Sequence, residues 1–383
     1  MNVKRDLARL QAPDESAAQA RAWDIVRVAY RERPPRPRHA PRWSLALTPA
    51  AIAVVAALTL TPAGATVGRL ISHALGVPHA ARALFSLPAP GSLLVSGHDG
   101  TWVVSSDGSR RRLGAWRQAS WSPHGLYIAV ASRDRLAVVT PRGVTQWALT
   151  RPHVSDPRWY PPTGFRIAYR AGSTLRVVAG DSTGDHVLAS HVSPVAPAWR
   201  PGHPYELAYV RRSRVVLCDA DSGRVLWTRP AREVLKLGWS SGGGRLLILT
   251  RHGAQVVTGS GQTAATIATA PPNAVRDGAL AANGQALALV SSRGLAVARL
   301  AAPRPALQTV LAGAGIRQVT WSPNSQWLLA SWPVADQWVF IAAGLRPRIA
   351  AFSRIAQQFS LGRRTNPFPR LDGWCCTAHG PAG

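Results

Sequence analysis

Between Leu87 and Ile355 the chain carries a dozen carboxylates and seven histidines, the side chains from which acid–base or metal chemistry would be built. Catalysis needs such groups to converge, and the sequence disperses them. Asp99, Asp107, Asp134, Asp181, Asp219 and Asp221 sit in short turns, which Asp favours because its side chain bonds to nearby backbone amides. His98, His124, His153, His186, His191, His203 and His252 fall in loops, without the HxH or HxxxH spacing that brings two imidazoles to one metal. No G-x-S-x-G, Walker or dinucleotide-binding loop occurs, and "SSGGGR" from Ser240 is a turn between two apolar strands. The sequence therefore nominates no catalytic, cofactor-binding or metal residue, and an enzyme is not expected.

Cys218, Cys375 and Cys376 are too few for a disulfide framework, and one is left over if a single bridge forms. Adjacent cysteines are too close for the usual zinc-ligand pairs, so "WCC" is assigned a structural role.

The formal net charge is +27, which raises the question of a polyanionic partner. Of the 45 basic residues 43 are Arg, Lys occurring only at Lys4 and Lys236; that bias is the mark of a GC-rich genome. No sustained basic run or nucleic-acid-binding motif accompanies the charge, so a nucleic-acid partner is not expected.

The densest cluster, Arg31 to Arg42, has a topological reading. From Trp43 to Gly68 no residue is charged, and "LALTPAAIAVVAALTL" is long enough to cross the ~30 Å hydrocarbon core as a helix. A transmembrane helix is expected over 43–65, with residues 1–42 cytoplasmic by the positive-inside rule and everything later extracytoplasmic. "AGA" at Ala63 to Ala65 leaves a cleaved signal open, although a 42-residue leader is long for one.

Within the leader an amphipathic helix is expected over 14–32. Ser16 and Gln19 have capping-box spacing, Pro34 and Pro35 stop it, and Ala22, Ile25, Val26, Ala29 and Tyr30 form an apolar stripe. Such a stripe lies on a membrane surface or docks on a partner. Residues 66–86 read as a stalk.

Beyond the stalk the chain repeats. A strand ending at Trp121 recurs at Trp159, Trp199, Trp239, Leu280 and Trp321, with spacings of 38, 40, 40, 41 and 41 residues. Each copy continues with a Pro- or Gly-rich turn, an apolar strand such as "LYIAVAS", a second such as "RLAVVTP" and a weaker fourth segment. Four short strands per forty residues is the period of a β-propeller blade.

An incomplete copy, "LPAPGSLLVSGHDGTWVVSSDGSRRRLG", comes first and lacks its Trp strand. The fold expected is all-β, a propeller of seven blades over 87–362, with six or eight left open. The ring is expected to close through "RIAQQFSLG", residues 354–362, leaving a tail over 363–383. The repeated Trp, always at one phase, reads as a packing wedge between blades.

The unit W-S-P-x-G at Trp121 to Gly125, echoed at Trp321 to Pro323, resembles the TolB-like or WD-type propeller repeat. His124, Pro162, Gly202 and Asn324 stand where that repeat carries an acidic residue, so nothing that depends on the acid is carried over. The whole chain resembles actinobacterial membrane proteins with an A-W-x-x-V-R-x-A cytoplasmic helix, one span and an external propeller. "RAWDIVRVAY" from Arg21, "LFSLPAPG" from Leu84, "ADQWVF" from Ala335 and "GWCC" from Gly373 carry this likeness. The layout is similar to that of transmembrane anti-sigma regulators, although their zinc-binding His and Cys signature is absent from residues 1–42.

The function expected is a membrane-anchored extracytoplasmic binding or sensing module for a protein, peptide or envelope ligand. Residues 14–32 are expected to contact a cytoplasmic regulator such as a sigma factor, and no cofactor is expected. The alternatives are an envelope polysaccharide hydrolase or lyase, and a structural scaffold of an envelope complex.

Overall fold

The tryptophan of each repeat ends a short strand, and the three segments after it fold back beside that strand in turn. The computed structural model describes residues 86–161, 164–269, 273–302, 305–344, 348–360 and 367–376. Within them lie seven four-stranded antiparallel sheets, which settles the blade count at seven. Strands are lettered a to d outward within each blade. The a strands of blades 2 to 7 are Gln118–Trp121, Val154–Trp159, Ala198–Trp199, Val234–Trp239, Val275–Leu280 and Gln318–Trp321. Each touches the a strands of the blades before and after it, so the a strands form a closed inner ring.

Blade 1 is the seam. Its b, c and d strands are Ser92–Gly97, Gly100–Val104 and Arg110–Gly114, and its a strand is Arg370–Cys375 from the far end of the chain. Closure by both ends was expected, but the strand is not 354–362. Ile355–Gln358 forms one turn of helix, and Ile355 and Phe359 are buried against Trp338 and Trp374 in the core of the seam. The propeller therefore runs beyond residue 362, and the supposed tail supplies its innermost strand.

Burial follows position in the blade. The b strand of blade 5, "RLLILT" at Arg245–Thr250, is buried at its four central residues because a neighbouring sheet covers each of its faces. The d strand Thr145–Thr150 lies on the rim and is half exposed.

The W-S-P turn has a local cause. Ser122 Oγ accepts the Tyr127 amide at 2.9 Å, and Gly125, at φ +70°, returns its own amide to the Ser122 carbonyl at 3.0 Å. Ser322 and Ser240 hold the Trp327 and Arg245 amides in the same way, at 2.9 and 3.2 Å.

The cytoplasmic helix over 14–32, the span over 43–65 and most of the stalk over 66–86 lie outside the described residues. Among the described residues no helix is long and apolar enough to cross a membrane.

Candidate functional site

The repeated Trp is a wedge, as its phase predicts. Trp199, Trp239 and Trp321 each donate Nε1–H to a carbonyl on the a strand of the preceding blade: Arg158 O at 2.9 Å, Ala198 O at 3.1 Å and Ala279 O at 2.9 Å. Their rings are committed to joining blades.

The position three residues before the Trp makes a second belt. An a strand is an edge strand, whose outward amides lack a sheet partner. Gln118 Oε1 accepts the Asp156 amide of blade 3, Asp277 Oδ2 accepts the Val319 amide at 2.9 Å, and Gln318 Oε1 accepts the Leu371 amide at 2.9 Å. Lys236 Nζ reaches Asp277 Oδ1 at 2.9 Å. Sequence reasoning missed this belt, although Gln118, Asp156, Lys236, Asp277 and Gln318 share one phase of the repeat.

One residue before the Trp the ring carries Ser120, Ala198, Gly238, Ala279, Thr320 and Gly373, all small, and Arg158. Burial pulls the Arg158 guanidinium below its usual value, while the charges of Asp156 and of Asp372 in blade 1 oppose that shift. Its Nη1 donates to Pro157 O at 2.8 Å.

Asp372 has a side chain only 6% exposed. It receives Arg370 Nε at 2.9 Å and the Ser96 hydroxyl. Burial holds its carboxyl above the usual carboxylate value, against the pull of Arg370 and Ser96. The belt carboxylates Asp156 and Asp277 are bound by Arg170 Nε and Lys236 Nζ, each at 2.9 Å. All three are committed to ion pairs, and a reaction there would first have to break them.

The turn carboxylates stay at their turns. Asp107 binds the Ser109 amide at 2.9 Å, Asp181 the Thr183 amide at 3.0 Å, and Asp219 the Asp221 and Ser222 amides at 3.0 and 2.9 Å. These hydrogen bonds hold all three below their ordinary values. Asp99, Asp134 and Asp221 contact His98, the His153 amide and Arg166. His252 lies 3.1 Å from Glu233, and in blade 4 His203 lies 3.8 Å from Glu206. Among the described residues no group of His, Cys, Asp and Glu is arranged to hold a metal ion.

Cys375 and Cys376 are bridged to each other at the end of the closing strand. The disulfide rests against the W-S-P turn of blade 2, with Cys376 Sγ 3.4 Å from Pro123 O. Cys218, buried in blade 4, is the free cysteine.

No family model and no curated protein sequence matches the chain. Solved structures do. The β-propeller domain of Cps50 (Swd1) from Myceliophteria thermophila superposes with a TM-score of 0.53 at 14% identity, covering 70% of this chain and 98% of that one. Hsv2 of Kluyveromyces lactis with its complete loop 6CD gives 0.52 at 12%, covering 69% and 94%. The likeness is one of fold alone.

The two faces of this propeller differ. One face is made by the b–c turns and d–a connections, the other by the a–b and c–d turns. On the first, the b–c turns expose Arg133, Arg212, Arg251 and Arg293, and the d–a connections expose Arg117, Arg232, Arg317 and Arg354. Among the described carboxylates of that face only Asp134 and Glu233 are exposed. Among the described residues the second face nearly balances its exposed turn residues Arg142, Arg224, Arg299 and Arg348 with Asp107, Asp181 and Asp221. It also holds Leu126, Val144, Phe165, Val225 and Ile349, most of the exposed large apolar side chains. The described chain enters on this second face, where the Leu87 amide bonds to Ser106 O at 2.8 Å.

Proposed function

We propose that the chain is a membrane-anchored propeller that binds a protein partner outside the cytoplasm. The observation that carries this reading is the segregation of exposed charge, among the described residues, between the faces of a ring whose Trp199, Trp239 and Trp321 indoles and inner polar belt are already spent on joining blades. What varies from blade to blade is the turn residues, and they supply a broad face suited to recognition.

Three features support the anchored placement. The uncharged segment 43–65 follows a basic leader. The Cys375–Cys376 bridge is in keeping with a compartment where disulfides persist. The apolar side chains gather on the face at which the described chain enters, and the exposed arginines on the other.

The cytoplasmic helix over 14–32 then has a reporting role, holding or releasing a regulator such as a sigma factor. The likeness to anti-sigma regulators supports that role through layout only. A reporter fused after Gly383 tests the topology: alkaline phosphatase is expected to be active there and a cytoplasmic reporter silent, and the reverse result overturns the placement.

A further inference from the structure

We infer that the face formed by the b–c turns and d–a connections is the docking surface, and that its partner is an extended acidic polypeptide segment bearing Asp or Glu carboxylates. This inference rests on the binding reading above and names the partner's chemistry.

The charge on this face is not a uniform consequence of a basic chain. Among the described residues, eight exposed arginines in its turns and connections stand against two exposed carboxylates, of which Glu233 is engaged with His252, whereas the turns of the other face are close to neutral. The cations are all guanidinium groups, flat forks with paired donors that match a carboxylate two bonds at a time. Arg251 and Arg293 lie in the b–c turns of blades 5 and 6, and Arg317 in the connection to blade 7, giving a continuous arc. Arg370 opens the a strand of blade 1 at this face and is paired with the buried Asp372.

Two other polyanions fit less well. Single-stranded nucleic acid is held by aromatic rings on which bases stack, and Phe165, the exposed aromatic ring among the described residues, is on the opposite face. Duplex DNA is read by a helix or β-ribbon that enters a groove, and short turns around a disc provide neither. An anionic bilayer would also attract a flat basic surface, and the vesicle arm of the test below separates it from an acidic polypeptide. An acidic protein segment needs none of these devices. It needs length enough to span two or three blades.

The test uses the full chain in non-ionic detergent and a fluorescent poly-L-glutamate probe. Replacing Arg251, Arg293 and Arg317 with Ser is expected to weaken binding by roughly tenfold or more. Replacing Arg224, Arg299 and Arg348 on the other face, an equal loss of charge, is expected to change it by less than about twofold. Raising salt from about 50 mM to about 200 mM should weaken binding to the parent chain more than to the first variant. Equal loss in both variants would overturn the inference, since bulk charge would then explain binding. Tighter binding of duplex DNA or of phosphatidylserine vesicles than of poly-glutamate would overturn it in favour of those partners. A cytoplasmic result from the topology reporter, with the difference between the variants intact, would instead overturn the placement and leave the acidic partner standing.

Discussion

Trp374 pairs with Leu93 across the seam of the ring, the place that Trp121 holds opposite Ile128 in blade 2 and Trp321 holds opposite Leu328 in blade 7. It is the missing tryptophan of the first repeat, delivered by the other end of the chain. Its indole packs edge-on to Phe340 with centroids 5.6 Å apart, and Gly91, at φ +108°, leaves room beside it that a Cβ would fill.

Trp374→Ala is therefore expected to cost about 3–5 kcal/mol, as for other buried aromatic truncations. Denaturant unfolding reads the loss. Trp327, half-buried on the b strand of blade 7, is the comparison, and its truncation should cost less.

Ending the chain after Pro369 should leave blade 1 with three strands and an open edge, ready to pair with another molecule. Size-exclusion chromatography is expected to show aggregation for that chain, and a monodisperse peak for one ended after Cys376. Equal behaviour of the two would assign closure to residues 354–362 after all.

Asp185 clamps blades 2 and 3: Arg151 Nε lies 2.8 Å from its carboxylate, Arg176 Nη2 2.8 Å and the Tyr169 hydroxyl 2.7 Å. Burial pushes its carboxyl up, but these hydrogen bonds outweigh burial and hold it below its ordinary value. Burial also takes the Tyr169 hydroxyl up to about 12. A carboxylate whose value is lowered on folding contributes stability that is full above the unfolded value and is lost as pH falls through the folded one. Asp185→Asn should thus cost about 1.5–3 kcal/mol at neutral pH, and the difference from the parent should shrink only below the ordinary carboxylate range. Urea midpoints across that range check both the size and the direction.

Thiol chemistry separates the three cysteines. Burial drives the Cys218 thiol up to about 12, where it is a poor nucleophile. Alkylation of the folded protein should therefore label no cysteine before reduction, Cys375 and Cys376 after mild reduction, and Cys218 only on unfolding. Mass spectrometry of the alkylated chain distinguishes this order from one in which Cys218 reacts early.

The blades were legible because packing is periodic: the Trp phase and the buried b strands recur every forty residues, and the repeat could be counted from Trp121 to Trp321. The seam was not, because 53 residues rather than about forty separate Trp321 from Trp374. The local pattern was there nonetheless, since "LDGW" at Leu371 matches "KLGW" at Lys236 in its last two residues. "RIAQQFSLG" misled because its apolar residues are spaced to pack one helical turn into the seam, which a period-two reading takes for a strand. The arginine face was hidden for a different reason. Arg251, Arg293 and Arg317 are far apart in sequence and alike in composition to Arg224 and Arg299, and only the up-and-down course of the strands sorts them onto opposite faces.

Photo-crosslinking in cells tests that sorting most directly. A photoreactive residue placed at Arg293 or Arg317 is predicted to capture an acidic protein outside the cytoplasm, and one at Arg224 or Arg299 to capture none. Capture from Arg224 or Arg299 alone would contradict the account.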